Sequence, residues 1–106
     1  MKVVLDECLP KKLKGELVGH SVRTVPQCRW SGIKNGQLLR LMEGRFDVFI
    51  TIDGNLESQQ NLKRSPLGFI VLEADDNDID TLLLLVPKIL EALNRIQPGE
   101  VIRVKS

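Results

Sequence analysis

The sequence predicts an α/β fold, a three-layer α/β/α sandwich built on a mostly parallel sheet of about five strands. Three observations lead there. Five short apolar runs read as strands: "KVVLD" (2–6), "HSVRTV" (20–25), "FDVFITID" (46–53), "LGFIVLEA" (67–74) and "EVIRV" (100–104). The segments between them carry apolar residues at helical spacing. Strands that alternate with helices need crossover connections, and right-handed crossovers set helices on both faces of the sheet. A chain of 106 residues is of single-domain size, so one domain is expected over 1–106.

Each element has its own signal. "KVVLD" is apolar and β-branched, as suits a strand covered on both faces. "PKKLKGELV" (10–18) follows as a helix, with Pro10 early, where a missing N–H costs little, and Leu9, Leu13 and Leu17 on one side. Gly19-His20 ends it. "HSVRTV" alternates and contains Arg23, so it reads as a strand nearer an edge. Residues 26–33 are loop-like. "KNGQLLRLMEG" (34–44) reads as a helix with Leu38, Leu41 and Met42 on one side, stopped by Gly44. After the buried strand 46–53, "GNLESQQNLKRSP" is polar, with a short helix and a loop. From Ile79 to Ile96 an apolar stripe runs past Pro87, which predicts one long kinked helix. Leu84 and Leu85 fall outside that stripe and suggest a homodimer or partner surface, or a helix buried on two sides.

Composition excludes several classes. Hydrophobic residues are 42% and charged residues 27%, enough for a core and a polar surface. The net charge of +1 carries no global basic signature. Its distribution is uneven: residues 1–50 hold nine Lys/Arg against five Asp/Glu, and residues 51–106 hold six against nine. Cys8 and Cys28 have no metal-ligand spacing, and reduced buried thiols are expected. No apolar run approaches the roughly 20 residues a membrane span needs. The first residues lack the charged, apolar and small-residue regions of a signal peptide. These points lead to the expectation of a cytoplasmic protein with no membrane partner.

The chemistry-bearing feature is a pair of strand ends. The first strand runs into Asp6 and Glu7, and the third runs into Asp53. In an open α/β sheet these strands are commonly neighbours, and ligands bind beyond their C-terminal ends. Neighbouring acids repel unless they share a cation. Mg²⁺ or Mn²⁺ suits oxygen ligands and keeps several waters. Either metal would orient a phosphate and activate water. The competing reading makes Asp6 a helix cap, Asp53 of "Asp-Gly-Asn" a turn residue and Glu7 a first-turn acid. The run "EADDNDID" reads as a solvated loop and cap. A phosphoacceptor receiver domain also has acids at these two places. It wants a hydroxyl after strand four and a Lys-Pro after strand five. Here strand four ends "VLEADD", and Lys105 has no Pro after it.

The segments "MKVVLDECLP", "HSVRTV", "GIKNGQLLRLMEGRFDVFITIDGNLESQQNL" and "PGEVIRV" resemble the compact PIN-like proteins of bacteria, related to the VapC-type toxin nucleases. The resemblance spans nearly the whole chain, and its most specific parts are "LDE-x-LP" and the strand end Thr51-Ile52-Asp53-Gly54-Asn55. It implies an α/β/α sandwich with a metal-binding acidic cluster, cleavage of single-stranded RNA, and a small DNA-binding antitoxin as partner. By position it makes Asp6 and Asp53 the metal-binding and catalytic acids, with Glu7 as their companion. Relatives read N-G-E-L where this chain has Asn35-Gly36-Gln37-Leu38. Gln37 keeps a carbonyl oxygen but brings no negative charge.

Supporting roles are expected for Gln37, Asn35, Thr51 and Asn55, with Thr51 orienting Asp53. Gln59, Gln60 and Asn61 are expected near the same cleft. Lys11, Lys12 and Lys34, with Lys14 and Arg29, are candidates for phosphate contacts. Trp30 either stacks on a base or covers the core. His20 is expected far from the acids. Two functions stay open: a Mg²⁺- or Mn²⁺-dependent endoribonuclease acting as a toxin, and a catalytically weak or inactive binding module that keeps the scaffold. Gln37 motivates the second.

Overall fold

The structure is a computed structural model; it describes residues 1–105 and, of Gln59, the backbone alone. Five parallel strands form one sheet: β1 (Lys2–Leu5), β2 (Ser21–Thr24), β3 (Val48–Thr51), β4 (Gly68–Glu73) and β5 (Val101–Lys105), in the order β2-β1-β3-β4-β5. β1 to β4 are one to four residues shorter than their apolar runs, because the flanking residues leave the ladder to turn, and β5 is shifted by one residue to take in Lys105. The sandwich is as expected, and the sheet is wholly rather than mostly parallel.

The pleat sorts the core into two layers. Val3, Leu5, Val48, Ile50, Ile70, Leu72, Ile102 and Val104 pack on one face. That face is covered by Leu9, Leu13 and Leu17 and by the helices α3 (Ile79–Leu83) and α4 (Val86–Arg95). Val4, Phe49 and Phe69 stand on the other face, in register across three strands. Helix α1 (Asn35–Met42) and the short α2 (Leu56–Gln59) cover it through Leu38, Leu39, Met42 and Leu56. Two-sided burial explains why β1, β3 and β4 read as continuous apolar runs, whereas the edge strands β2 and β5 expose alternate residues.

Three elements differ from expectation. Residues 11–16 form a 3-10 helix rather than an α-helix, closed by the N–H of Leu13 on the carbonyl of Pro10. Lys11, Lys12 and Lys14 crowd like charge into one turn, and Gly15 weakens it further. The leucines at 9, 13 and 17 are buried all the same. A single 3-10 turn (Pro26–Cys28) lies within the predicted loop 26–33. The long kinked helix is two helices, separated at Leu84-Leu85. Pro87 lies in the first turn of α4, where it has no N–H to give the carbonyl of Leu83, so the break precedes it. Leu85 turns into the core while Leu84 stands 72% exposed, which removes Leu85 from any partner surface. Among the described residues no helix is long and apolar enough to cross a membrane.

Candidate functional site

Strand order reverses between β1 and β3, where open α/β sheets bind ligands. Asp6 follows β1 directly, and its N–H still bonds the Ile50 carbonyl at 2.9 Å, so it stays tied to β3. Along the pleat Asp6 alternates with Leu5 and Thr51 with Ile50. Both therefore lie toward α1. Thr51 is completely buried. A buried hydroxyl needs partners, and it finds two. Its Oγ1 donates to Asp6 Oδ2 at 2.6 Å and accepts the N–H of Asp53 at 3.0 Å. One hydroxyl thus joins the two acids that the sequence set at neighbouring strand ends.

The remaining oxygens are oriented as well. Asp6 Oδ1 accepts the N–H of Glu7 at 2.8 Å. Asp53 Oδ1 accepts the N–H of Asn55 at 3.0 Å, the turn role expected of an Asp-Gly-Asn sequence. Asn35, the first residue of α1, extends Nδ2 to within 3.4 Å of Asp53 Oδ2. Asp6, Thr51, Asp53 and Asn35 therefore form one connected group. Asn55 joins it through its backbone. Gln60 also lies close, since a Cβ on Gly36 would meet its amide at 3.5 Å.

Other expected residues have surroundings of their own. Glu7 is exposed, and its Oε2 accepts the N–H of Gly32 at 2.9 Å, so it anchors the loop before α1. Gln37 is exposed on the first turn of α1, and Lys34 caps that helix from an exposed position. Lys11, Lys12 and Lys14 line a groove with His20 beside β2 that neither Asp6 nor Asp53 lines. Arg29 lines a separate groove. Trp30 covers the core, its ring edge-on to Phe46 at 6.0 Å, and offers no open face to a base. Asn61 is exposed, and the side chain of Gln59 lies outside the described residues. His20 directly precedes β2, at the opposite end of the sheet from the acids, as expected.

Three features went unread in the sequence. Asn77 donates from Nδ2 to the Cys8 carbonyl at 2.8 Å, tying the acidic loop to the turn after β1. Arg103 of β5 ion-pairs with Glu57 and Glu73 and reaches the Gly54 carbonyl, holding the turn after Asp53. Long-range polar partners of this kind have no local spacing signature. The thiol of Cys8 is pushed above its usual range, chiefly by burial, with the charge of Asp6 adding to the effect. Both cysteines are free and half-buried.

The donor set suits a hard divalent cation. Asp6 and Asp53 present four carboxylate oxygens, each taking one hydrogen bond from the chain and keeping a lone pair. Among the described residues no group of three or more His, Cys, Asp or Glu is arranged to hold a metal, so a cation here would complete its shell with water. An open cavity of about 630 Å³ adjoins the same end of the sheet, lined by Gly54, Glu73, Leu84 and Arg103, but neither Asp6 nor Asp53 lines it. The acidic pair is half-buried at the rim of the sheet beside that cavity. Comparison of the chain with protein-family models, curated proteins and solved structures found no match.

Proposed function

We propose that the protein is a metal-dependent ribonuclease of the PIN-like type, and a toxin paired with a small DNA-binding antitoxin. The observation that carries the reaction is the hydroxyl of Thr51, which joins Asp6 to the backbone of Asp53 at the switch point of the sheet. A buried hydroxyl shared in this way fixes the carboxylate of Asp6 and the backbone of Asp53 beside the rigid strand ends, as a preorganised site requires. A half-buried rim at the end of the sheet suits a polymer that lies across it better than an enclosed small molecule. The toxin role rests on the sequence resemblance alone.

Asp6 and Asp53 would hold Mg²⁺ or Mn²⁺, which when bound supplies an activated water and charge for the phosphate. The chain's own part is to orient. Thr51 fixes the rotamer of Asp6, Asn35 steadies Oδ2 of Asp53, and the Asn55 N–H steadies Oδ1. The test is a calorimetric Mn²⁺ titration run beside an RNA cleavage assay. Wild type binds metal and cleaves, whereas Asp6→Asn and Asp53→Asn lose both. Cleavage that survives both substitutions rules this mechanism out.

A second reading, a binding module without turnover, is favoured by Gln37 and by the engagement of Glu7 with Gly32, which leave two carboxylates on the rim. Under it, wild type binds RNA or protein without cleavage, and Gln37→Glu tightens Mn²⁺ binding. An unchanged titration in Gln37→Glu argues against a damaged metal site.

A further inference from the structure

Two grooves flank the edge strand β2, one on each side, and Gln27 lines both. The first, of about 520 Å³, is lined by Lys11, Lys12 and Lys14. The second, of about 500 Å³, is lined by Lys2, Arg23, Arg29 and Arg45. These are seven of the nine Lys/Arg in residues 1–50, and no acid lines either groove. Among the described residues none of the seven has a carboxylate within ion-pair distance; the ion pairs of the chain belong to Arg103. Arg23 and Arg45 both act on the thiol of Cys28, which places their charges around one point. A chain of net charge +1 thus places seven of its fifteen cations around one strand edge, where they repel one another without a counter-ion.

We propose that this edge is a binding surface for the phosphate backbone of single-stranded RNA, passing over β2 from one groove to the other. The identity of the polymer rests on the nuclease reading above. The choice between RNA and an acidic protein segment follows from what the grooves lack. A protein partner needs apolar anchors to bury. Trp30 is 9% exposed, Phe46 is half-buried at the second groove with its ring already packed against Trp30, and the exposed apolar residues Val18, Leu83 and Leu84 line neither groove. Strand addition is blunted too, because Gln27 Oε1 accepts the outward N–H of Thr24 at 3.0 Å. A phosphate backbone needs only cations and donors, and here it finds lysines, arginines and the Gln27 amide.

The experiment uses full-length Asp6→Asn protein in EDTA, so that cleavage plays no part. Anisotropy of a labelled twelve-nucleotide oligouridine is followed from low to high NaCl. Single-stranded binding loses roughly 0.7 in log K per unit log salt for each phosphate neutralised. Lys11→Gln/Lys12→Gln/Lys14→Gln is expected to flatten that slope by about two units. Arg23→Gln/Arg45→Gln is expected to flatten it by rather more than one unit. Lys63→Gln/Arg64→Gln, off this edge, leaves the slope unchanged. Circular dichroism confirms folding of each variant. Unchanged slopes in both edge variants overturn the proposal. So does an oligoglutamate that binds this edge while oligouridine does not, which would assign it to an acidic protein partner. Failure of wild type to cleave RNA with Mn²⁺ would overturn the nuclease reading and leave the binding result standing.

Discussion

Replacing Thr51 by Val isolates the hydroxyl that joins the acids. The side chain is completely buried and Val has nearly its shape, so packing is preserved while two hydrogen bonds are lost. A hydrogen bond to a charged group contributes about 1.5–3 kcal/mol, and a stranded N–H costs about 1 kcal/mol more. The added methyl group returns part of this by apolar burial, about 1 kcal/mol. A net loss of about 1.5–3 kcal/mol is expected, equivalent to a Tm fall of about 6–24 °C in a domain of this size. Thr51→Ser keeps the hydroxyl and loses one buried methyl, so it should cost about 1 kcal/mol. Urea and thermal unfolding of the three proteins give the order wild type, Thr51→Ser, Thr51→Val. A Val variant as stable as wild type, or more stable than the Ser variant, refutes the claim that this hydroxyl organises the rim.

Further predictions test the frame around the site. Gly99→Ala should destabilise by at least about 2 kcal/mol. Gly99 has φ +78°, and its Cβ would lie 2.4 Å from the Lys63 carbonyl oxygen, whereas Gly54→Ala, with open space around it, should be near neutral in the same denaturation series. Leu85→Ala should cost about 2–5 kcal/mol and Leu84→Ala no more than about 0.5, since one is in the core and the other in solvent. Burial raises the pKa of both thiols, so alkylation at pH 8 should be slower in the native protein than in urea and should still be accelerating above pH 9. Because the folded state holds those protons more tightly, stability should fall as pH rises past about 8.5, the ordinary thiol pKa. Equal alkylation rates in native and unfolded protein would contradict the burial of Cys8 and Cys28.

The order of strands and helices was legible because β1, β3 and β4 are buried on both faces and read as unbroken apolar runs, while the edge strands β2 and β5 alternate. The pairing of β1 with β3, and with it the nearness of Asp6 to Asp53, followed from that pattern. Local form was less legible. Leu9, Leu13 and Leu17 marked the buried side of residues 11–16 correctly, but their spacing does not distinguish a 3-10 helix from an α-helix. The stripe from Ile79 to Ile96 survived the break at Leu84-Leu85, so periodicity hid it. Within the site, the turn role of Asp53 was readable from Asp-Gly-Asn, and the orienting role of Thr51 from its place one pleat back. Its shorter bond, to Asp6, was not readable, because it depends on the lateral register of two strands. The engagement of Glu7 by Gly32, and the hold of Arg103 on Gly54, join residues 25 and 49 positions apart and leave no sequence signature.

Cleavage of a labelled single-stranded RNA with Mn²⁺, by wild type and Asp6→Asn side by side, tests the nuclease assignment most directly. Wild type should cut the RNA, EDTA should stop it, and Asp6→Asn should leave the substrate intact while still unfolding cooperatively. Equal cleavage by the two proteins, or none by pure wild type that also binds no Mn²⁺ by calorimetry, would contradict the assignment of Asp6 and Asp53 as a metal-dependent catalytic pair.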